Sequence, residues 1–386
     1  MAIKRRKPAV EKEGAEAPST SSGSRFKKRE IPNTGILDNP NSELAAVIKK
    51  ITDSGDYGHA FHVANSRKFA TPRLETGVLA LDLTLGGGLG MGRASMLYGE
   101  RSAGKSTTGL IAMARMQKER PDEVVAVIDA EGTFDKGWAK KLGCDLSRIV
   151  IAEPESGEHA IDLADALMRA KEVSMVVTDS IAALIPTKEI DESAMQEFMG
   201  LQARLIGKYV RKATQALLSE RKRDHLVHCL FLNQFRMKIG LVFGDPRTLP
   251  GGKALEFFMS QQAEIKNKEH FGKDDTGDEV VMYNEHNIKV TKNKMGGPLR
   301  EAMFRLVRSP HLGMPEAWVD QAKTVVSSGM KVGVVTGAPS SFEIDGINGK
   351  FRGAPALTEW AVENQDAYNA VISKIVAGYK TRWGLE

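Results

Sequence analysis

Residues 99–106 read GERSAGKS and lie between an apolar, strand-like run, Ser95-Met96-Leu97-Tyr98, and a helix-like run that begins at Thr107. This is the G-x-x-x-x-G-K-[ST] pattern of a phosphate-binding loop, in the strand-then-helix setting such a loop requires. Gly99 and Gly104 let the backbone turn where a Cβ would clash, so that successive N–H groups point at a phosphate chain held at a helix N-terminus. Lys105 then reaches the outer phosphates, and the Ser106 hydroxyl is placed to ligate Mg²⁺. The candidate nucleotide contacts are therefore Gly99, Ser102, Ala103, Gly104, Lys105, Ser106 and Thr107.

Beyond the loop, apolar, β-branched runs recur at 124–128, 149–152, 175–178, 227–232 and 288–291, and helical patterns separate most of them. Such alternation predicts an α/β fold, a largely parallel sheet flanked by helices. Acidic residues end successive runs: Asp129 and Glu131 after the first, Asp179 after 175–178. The carboxyl ends of strands are where ligands sit in an open α/β sheet, so these groups converge on the phosphate loop. Asp179 fits the carboxylate that holds the water shell of Mg²⁺, and Glu131 fits a base that orients an attacking water.

The chain has 386 residues, 41% hydrophobic and 27% charged, enough for a full α/β core with small accessory units. No run approaches the roughly 18 apolar residues of a membrane span, and the N-terminus has no signal-peptide core. Cys144 and Cys229 stand far apart without C-x-x-C spacing, which suits a reducing cytoplasm and excludes a cysteine zinc site. Residues 1–30 hold nine Lys or Arg against four Glu, so the chain's net charge of +5 resides there. With its Ser, Gly and Pro content, the segment 1–40 reads as a disordered basic arm, either a solvated tail or a weak binder of phosphate backbones. Residues 41–70 form an N-terminal docking segment: Leu44, Val47, Ile48 and Ile51 have helical spacing behind Ser42 as a plausible N-cap, and so short a helix must dock on something else. The core is expected over 71–310, a linking segment over 311–332, and a small α/β C-terminal domain over 333–386.

Several strings together resemble the RecA family of DNA strand-exchange recombinases, from about Ser42 to Lys374. They are GERSAGKST, VIDAEGTFDKGWAKKLG, VVTDSIAALIP, NQFRMKIGLVFGDP with its following GGKALEF, and VTKNK. The diverged wording points to a phage or divergent bacterial member, in a bacterial or phage-infected cytoplasm. The resemblance implies a RecA-type P-loop ATPase core that uses ATP and Mg²⁺. It also implies a helical filament on single-stranded DNA that pairs with homologous duplex, with loading or mediator proteins and single-stranded-DNA-binding proteins as partners and no membrane. By the same resemblance Glu131 is the catalytic glutamate, and Asp179 the second acid and, with Ser106, a metal-site residue. Gln234 would sense the γ-phosphate. Asp135 and Trp138 would contact adenine; an indole stacks well on a purine, and a packed core aromatic is the other reading of Trp138.

Two segments are candidate DNA surfaces. Residues 189–199 lead into a helix with Arg204 and Arg211, seven apart and nearly on one face, a phosphate track or a solvated basic stripe. Residues 236–253 join the basic Arg236, Lys238, Arg247 and Lys253 to the apolar Met237, Ile239 and Phe243 and to Gly251 and Gly252, the mixture of backbone affinity, base wedging and close approach that a DNA loop needs. The resemblance implies that Met237, Ile239, Gly251 and Gly252 touch single-stranded DNA. It also implies that Lys292 and Lys294 reach across a protomer interface to the neighbour's ATP, and that Phe257 lies in that interface, although Phe257 suits a core position equally. Arg101 inside the loop, and Asn287 just before KVTKNK, depart from the family pattern. A ring-forming helicase on the same core and a filament-forming mediator with vestigial hydrolysis are the alternative functions; the paired lysines and the long second segment oppose the first, and the intact Lys105, Glu131 and Asp179 the second.

Overall fold

The computed structural model describes residues 43–53, 71–191, 200–237, 246–296 and 301–385. The basic arm, residues 192–199 of the first candidate DNA segment, and Lys238, Ile239 and Phe243 of the second lie outside the described residues. The chain divides into two units, residues 1–69 and 70–386. In the first, the helix read from the sequence is α1 (Glu43–Asp53), with Leu44 and Val47 exposed.

The second unit opens with a two-residue ribbon, β1 (Arg73–Leu74) antiparallel to β2 (Leu89–Gly90), which brackets the buried helix α2 (Leu79–Thr84). Strands and helices then alternate: β3 (Ala94–Gly99), α3 (Lys105–Glu119), β4 (Val124–Asp129), α4 (Lys136–Lys141), β5 (Ile149–Ala152), α5 (Gly157–Arg169), β6 (Val173–Asp179), α6 (Thr187–Asp191), α7 (Leu201–Lys222) and β7 (His228–Gln234). A small ribbon of β8 (Arg236–Met237) and β9 (Arg247–Thr248) leads to α8 (Gly252–Phe258). The long strands β10 (Gln261–Lys273) and β11 (Glu279–Asn293) form a hairpin, followed by β12 (Glu301–Val307) and β13 (Val319–Asp320).

These strands build one nine-stranded sheet in the order β13-β12-β11-β10-β3-β7-β6-β4-β5. From β10 to β5 every pairing is parallel, and from β10 outward to β13 every pairing is antiparallel. The fold is thus α/β with a mostly parallel sheet, as the alternation predicts. β4, β6 and β7 are buried almost throughout because helices cover both faces: α3 on one side, with Leu110, Ile111 and Met113, and α5 and α7 on the other, with Ile161, Ile206 and Tyr209. In the antiparallel half burial alternates, with His286, Ile288 and Val290 buried between exposed Asn287, Lys289 and Thr291.

A third core joins α9 (Ala322–Val332), the hairpin β14 (Val335–Ala338)–β15 (Ser341–Ile344), α10 (Gly353–Glu363) and α11 (Gln365–Trp383). Gly333 ends α9 in the left-handed region, the usual device for stopping a helix. Residues 322–332, expected as part of a linking segment, therefore form a packed helix. Val325 and Val326 share the third core with Leu79 and Leu83 of α2. Among the described residues no helix is long and apolar enough to cross a membrane.

Candidate functional site

The phosphate loop fills the gap between the carboxyl end of β3 and α3. Gly104, the N-cap of α3, has φ +88°, which an L side chain adopts only with strain, and Ser102 also has a positive φ of 58°. A Cβ on Gly99 would stand 2.2 Å from the Ile265 carbonyl oxygen, and one on Gly104 would stand 2.3 Å from Cε1 of His286. Lys105 is the first residue of α3 and is buried; its Nζ donates to the Glu100 carbonyl at 2.6 Å. Burial lowers its pKa, while Asp179, Glu131 and Glu100 oppose that shift, which identifies the charges gathered around the ammonium group.

Sheet register brings the carboxylates to this point. Asp129 pairs with Asp179 across β4 and β6, and the Ala130 N–H donates to the Asp179 carbonyl. Asp129 accepts the N–H groups of Glu131, Thr133 and Phe134, so it ties the turn that carries Glu131. Glu131 accepts the Ser180 hydroxyl. Burial raises the pKa of Asp179; the Ser106 hydroxyl lowers it, Glu131 and Asp129 raise it further, and Lys105 lowers it. Gln234 ends β7 in register with Gly99, the first residue of the loop.

Asp135 caps α4 by accepting the Trp138 N–H, and Trp138 Nε1 donates to Thr107 Oγ1 at 3.2 Å. The half-buried indole packs against the first core while the Arg308 guanidinium lies 4.5 Å from its ring centroid. Ser106, Thr133, Phe134, Asp135, Trp138 and Asp179 line a cavity of about 110 Å³. On the other side of the loop, residues 102–107 face Asn267, His286 and Arg308 across a cavity of about 390 Å³.

Lys292 and Lys294 are not brought to this loop. Lys292 pairs with Gln262, which pairs with Met96, three residues before Gly99 on β3. Both lysines lie against the C-terminal end of α8: Lys292 Nζ donates to the carbonyls of Glu256 and Phe257, and Lys294 Nζ to that of Phe257 at 2.9 Å. Phe257 is 70% exposed, so it is not a core residue.

Arg204 and Arg211 lie on the exposed side of α7. Met237 is 65% exposed, and Lys253 is exposed in the first turn of α8. The second candidate DNA segment is not loop throughout: β8 and β9 form its stem, and α8 takes its end. Arg236 is held locally, donating to the Ala182 carbonyl at 2.6 Å and to Gln202 Oε1 at 3.2 Å. Arg247 stacks over Phe235 and pairs with Glu264. Gly251 and Gly252 both have positive φ, and a Cβ on Gly251 would meet Ile206 at 2.7 Å, whereas Gly252 faces open space.

Four residues at the site escaped the sequence reading: Ser180, Asn267, His286 and Arg308. Ser180 is adjacent to Asp179 and lies within a quoted string, so strand-end position was an available signal. The other three come from the polar hairpin and from the residue that follows β12, where nothing local links them to the loop.

The RecA N-terminal domain family matches residues 42–311. The chain is 38% identical to Protein RecA of Acinetobacter baylyi over 271 residues, covering 70% of this chain and 74% of that one. It is 35% identical to Protein RecA of Marinobacter nauticus over 343 residues, covering 88% and 92%. The span matched by the family model runs through the phosphate loop, the strand-end carboxylates and the lysine pair, and the chain belongs to the RecA family.

Proposed function

We propose that this chain is an ATP-dependent recombinase that assembles as a filament on single-stranded DNA and exchanges strands with homologous duplex. The observation that carries this reading is a division of labour within one fold. The loop, Glu131 and Asp179 meet at one end of the central strands, whereas Lys292 and Lys294 stand too far along β10 and β11 to serve the same loop. A pair of cations so placed suits delivery to a neighbour's nucleotide, which makes hydrolysis depend on assembly.

In this reading the N–H groups of the loop and Lys105 hold the phosphate chain, and Trp138 with Asp135 holds the base. Glu131, oriented by the Ser180 hydroxyl, accepts a proton from the water that attacks the terminal phosphorus as the bond to the leaving ADP oxygen breaks. Lys292 and Lys294 of the adjoining copy stabilise the charge that develops on the transferred group. Ser106 and Asp179 fit Mg²⁺, which keeps several waters and shares its shell with substrate phosphates rather than requiring an all-protein cage. When bound, Mg²⁺ supplies charge neutralisation across the phosphates. Gln234, between the loop and β8, relays phosphate state to the segment with Arg236, Met237, Gly251, Gly252 and Lys253, while Arg204 and Arg211 contribute to the phosphate track.

The test is ATP turnover with and without single-stranded DNA, in the parent protein and in Glu131→Gln. Strong stimulation by DNA in the parent, and loss of turnover with retained ATP binding in the variant, are expected. Turnover indifferent to DNA would overturn the recombinase reading while leaving the phosphate loop in place.

A further inference from the structure

Two side chains of the β10–β11 hairpin hold consecutive carbonyl groups at the crest of the phosphate loop. Asn267 Nδ2 donates to the Ser102 carbonyl at 3.4 Å, and His286 Nδ1 lies 3.2 Å from the Ala103 carbonyl. His286 is 1% exposed, tilted against Phe304 at 4.8 Å between ring centroids, and lies where a Cβ of residue 104 would be. Burial pushes its pKa down to about 4, so the ring is neutral and carries one proton. A carbonyl only accepts, so that proton is on Nδ1.

Peptide geometry gives these contacts a consequence for the ligand. In a planar trans peptide the C=O and N–H point in opposite directions. The Ser102 carbonyl shares its peptide with the Ala103 N–H, and the Ala103 carbonyl shares its peptide with the Gly104 N–H. Drawing both carbonyls toward the hairpin turns both N–H groups to the opposite side, where the Ala103 N–H donates to the Glu100 carbonyl at 3.3 Å and so closes the loop on itself, while the Gly104 N–H heads α3. Neither contact is part of the loop motif, and both donors come from more than 160 residues away in sequence.

We propose that Asn267 and His286 are positioning residues for the bound nucleotide: Asn267 fixes the crest of the loop through the Ser102–Ala103 peptide, and His286 aims the Gly104 N–H at the phosphate chain. This rests on the nucleotide-binding reading of the loop. The hairpin thereby sets phosphate affinity from outside the motif, and its effect falls on the phosphates rather than on the base.

The test is equilibrium binding of Mg·ATP to the full chain without DNA, together with competition by Mg·tripolyphosphate, which has the phosphate chain but no nucleoside. His286→Leu, which keeps bulk and removes the donor, is expected to weaken both ligands about five- to tenfold, the size of one or two lost hydrogen bonds. His286→Asn, whose amide reaches the position of Nδ1, is expected to restore most of that loss. Asn267→Ala, at a half-buried site where folding is not at stake, is expected to weaken both ligands roughly two- to fivefold. In steady-state turnover with DNA the losses should appear in KM and spare kcat, because the phosphate chain is held equally before and during reaction. Unchanged affinity in both His286→Leu and Asn267→Ala would overturn the inference, as would a loss confined to ATP or one that His286→Asn fails to restore. A parent protein that binds neither ligand would instead overturn the nucleotide reading on which the inference rests.

Discussion

Asp82 lies fully buried in α2, where its Oδ1 accepts the Thr76 N–H at 2.7 Å and the Thr76 hydroxyl at 2.8 Å, while Oδ2 has no hydrogen-bond partner. Burial pushes its pKa from 3.8 to about 7; nearby Glu75 adds to the rise, and the Thr76 bonds and Arg115 oppose it. The folded chain thus keeps a proton here over a range in which the unfolded chain has released it. Stability is full below about pH 4 and falls as pH rises toward 7. A shift of about three pKa units corresponds to about 4 kcal/mol lost across that window. Asp82→Asn removes the titration while its amide oxygen keeps both Thr76 bonds, and its NH₂ stands where the protonated acid has its own unpartnered O–H. Urea unfolding of the parent and the variant from pH 4 to pH 8 is the assay. The two should be nearly equal at pH 4, and by pH 8 the variant should be more stable by about 4 kcal/mol. Parallel profiles across the whole range would refute the argument, because they would mean that Asp82 ionises as readily in the fold as outside it.

Three further outcomes follow from the site. Lys292→Ala/Lys294→Ala chains mixed with Glu131→Gln chains should recover about a quarter of parental DNA-dependent turnover, since a random assembly joins an intact catalytic end to intact lysines at that fraction of interfaces; each variant alone should be inactive, and no recovery on mixing would mean that the lysines act within one chain. Phe257→Ser should change thermal stability by less than about 0.5 kcal/mol, because the ring is already exposed, yet weaken self-association about tenfold in light scattering. Trp138→Ala should lose both its Thr107 bond and the Arg308 stack and weaken ATP binding by about 1–2 kcal/mol in calorimetry, with little change for tripolyphosphate.

The parallel half of the sheet was legible because helices cover it on both faces, so each strand announces itself as an apolar run: VVAVID in β4, VSMVVTD in β6 and HCLFLNQ in β7. The antiparallel half carries no such mark. β10 reads QQAEIKNKEHFGK, with Ala263 and Ile265 buried near its start and mixed polar residues after them, and of the fifteen residues of β11 only 288–291 stood out. A strand covered on one side needs an apolar residue only at alternate positions, and His286, half apolar ring and half hydrogen-bonding group, fills one such position without looking apolar. The extent of the C-terminal unit was obscured for a different reason. Its core borrows Leu79 and Leu83 from α2, some 240 residues earlier, and no local pattern reports so distant a partner.

Within the site, legibility followed contiguity. The loop, Glu131 and Asp179 sit at strand ends that a sheet must bring together, whereas Asn267, His286 and Arg308 reach the same place only because β10 pairs with β3, β11 with β10 and β12 with β11. Gly104 shows what this separation hides. The motif accounts for it by backbone conformation, and the φ of +88° satisfies that account in full. The space in which a Cβ would sit is nevertheless taken by His286, so the position excludes a side chain twice, once for the turn and once for the ring behind it. Relieving the second exclusion with a smaller residue at 286 would not make Gly104→Ala tolerable, because the strained conformation would remain. Leaving Gly104 in place and removing only the imidazole donor isolates the contribution of the hairpin from that of the motif, and this is why His286 rather than Gly104 is the residue that can distinguish a loop shaped by its own glycines from one also held by the sheet.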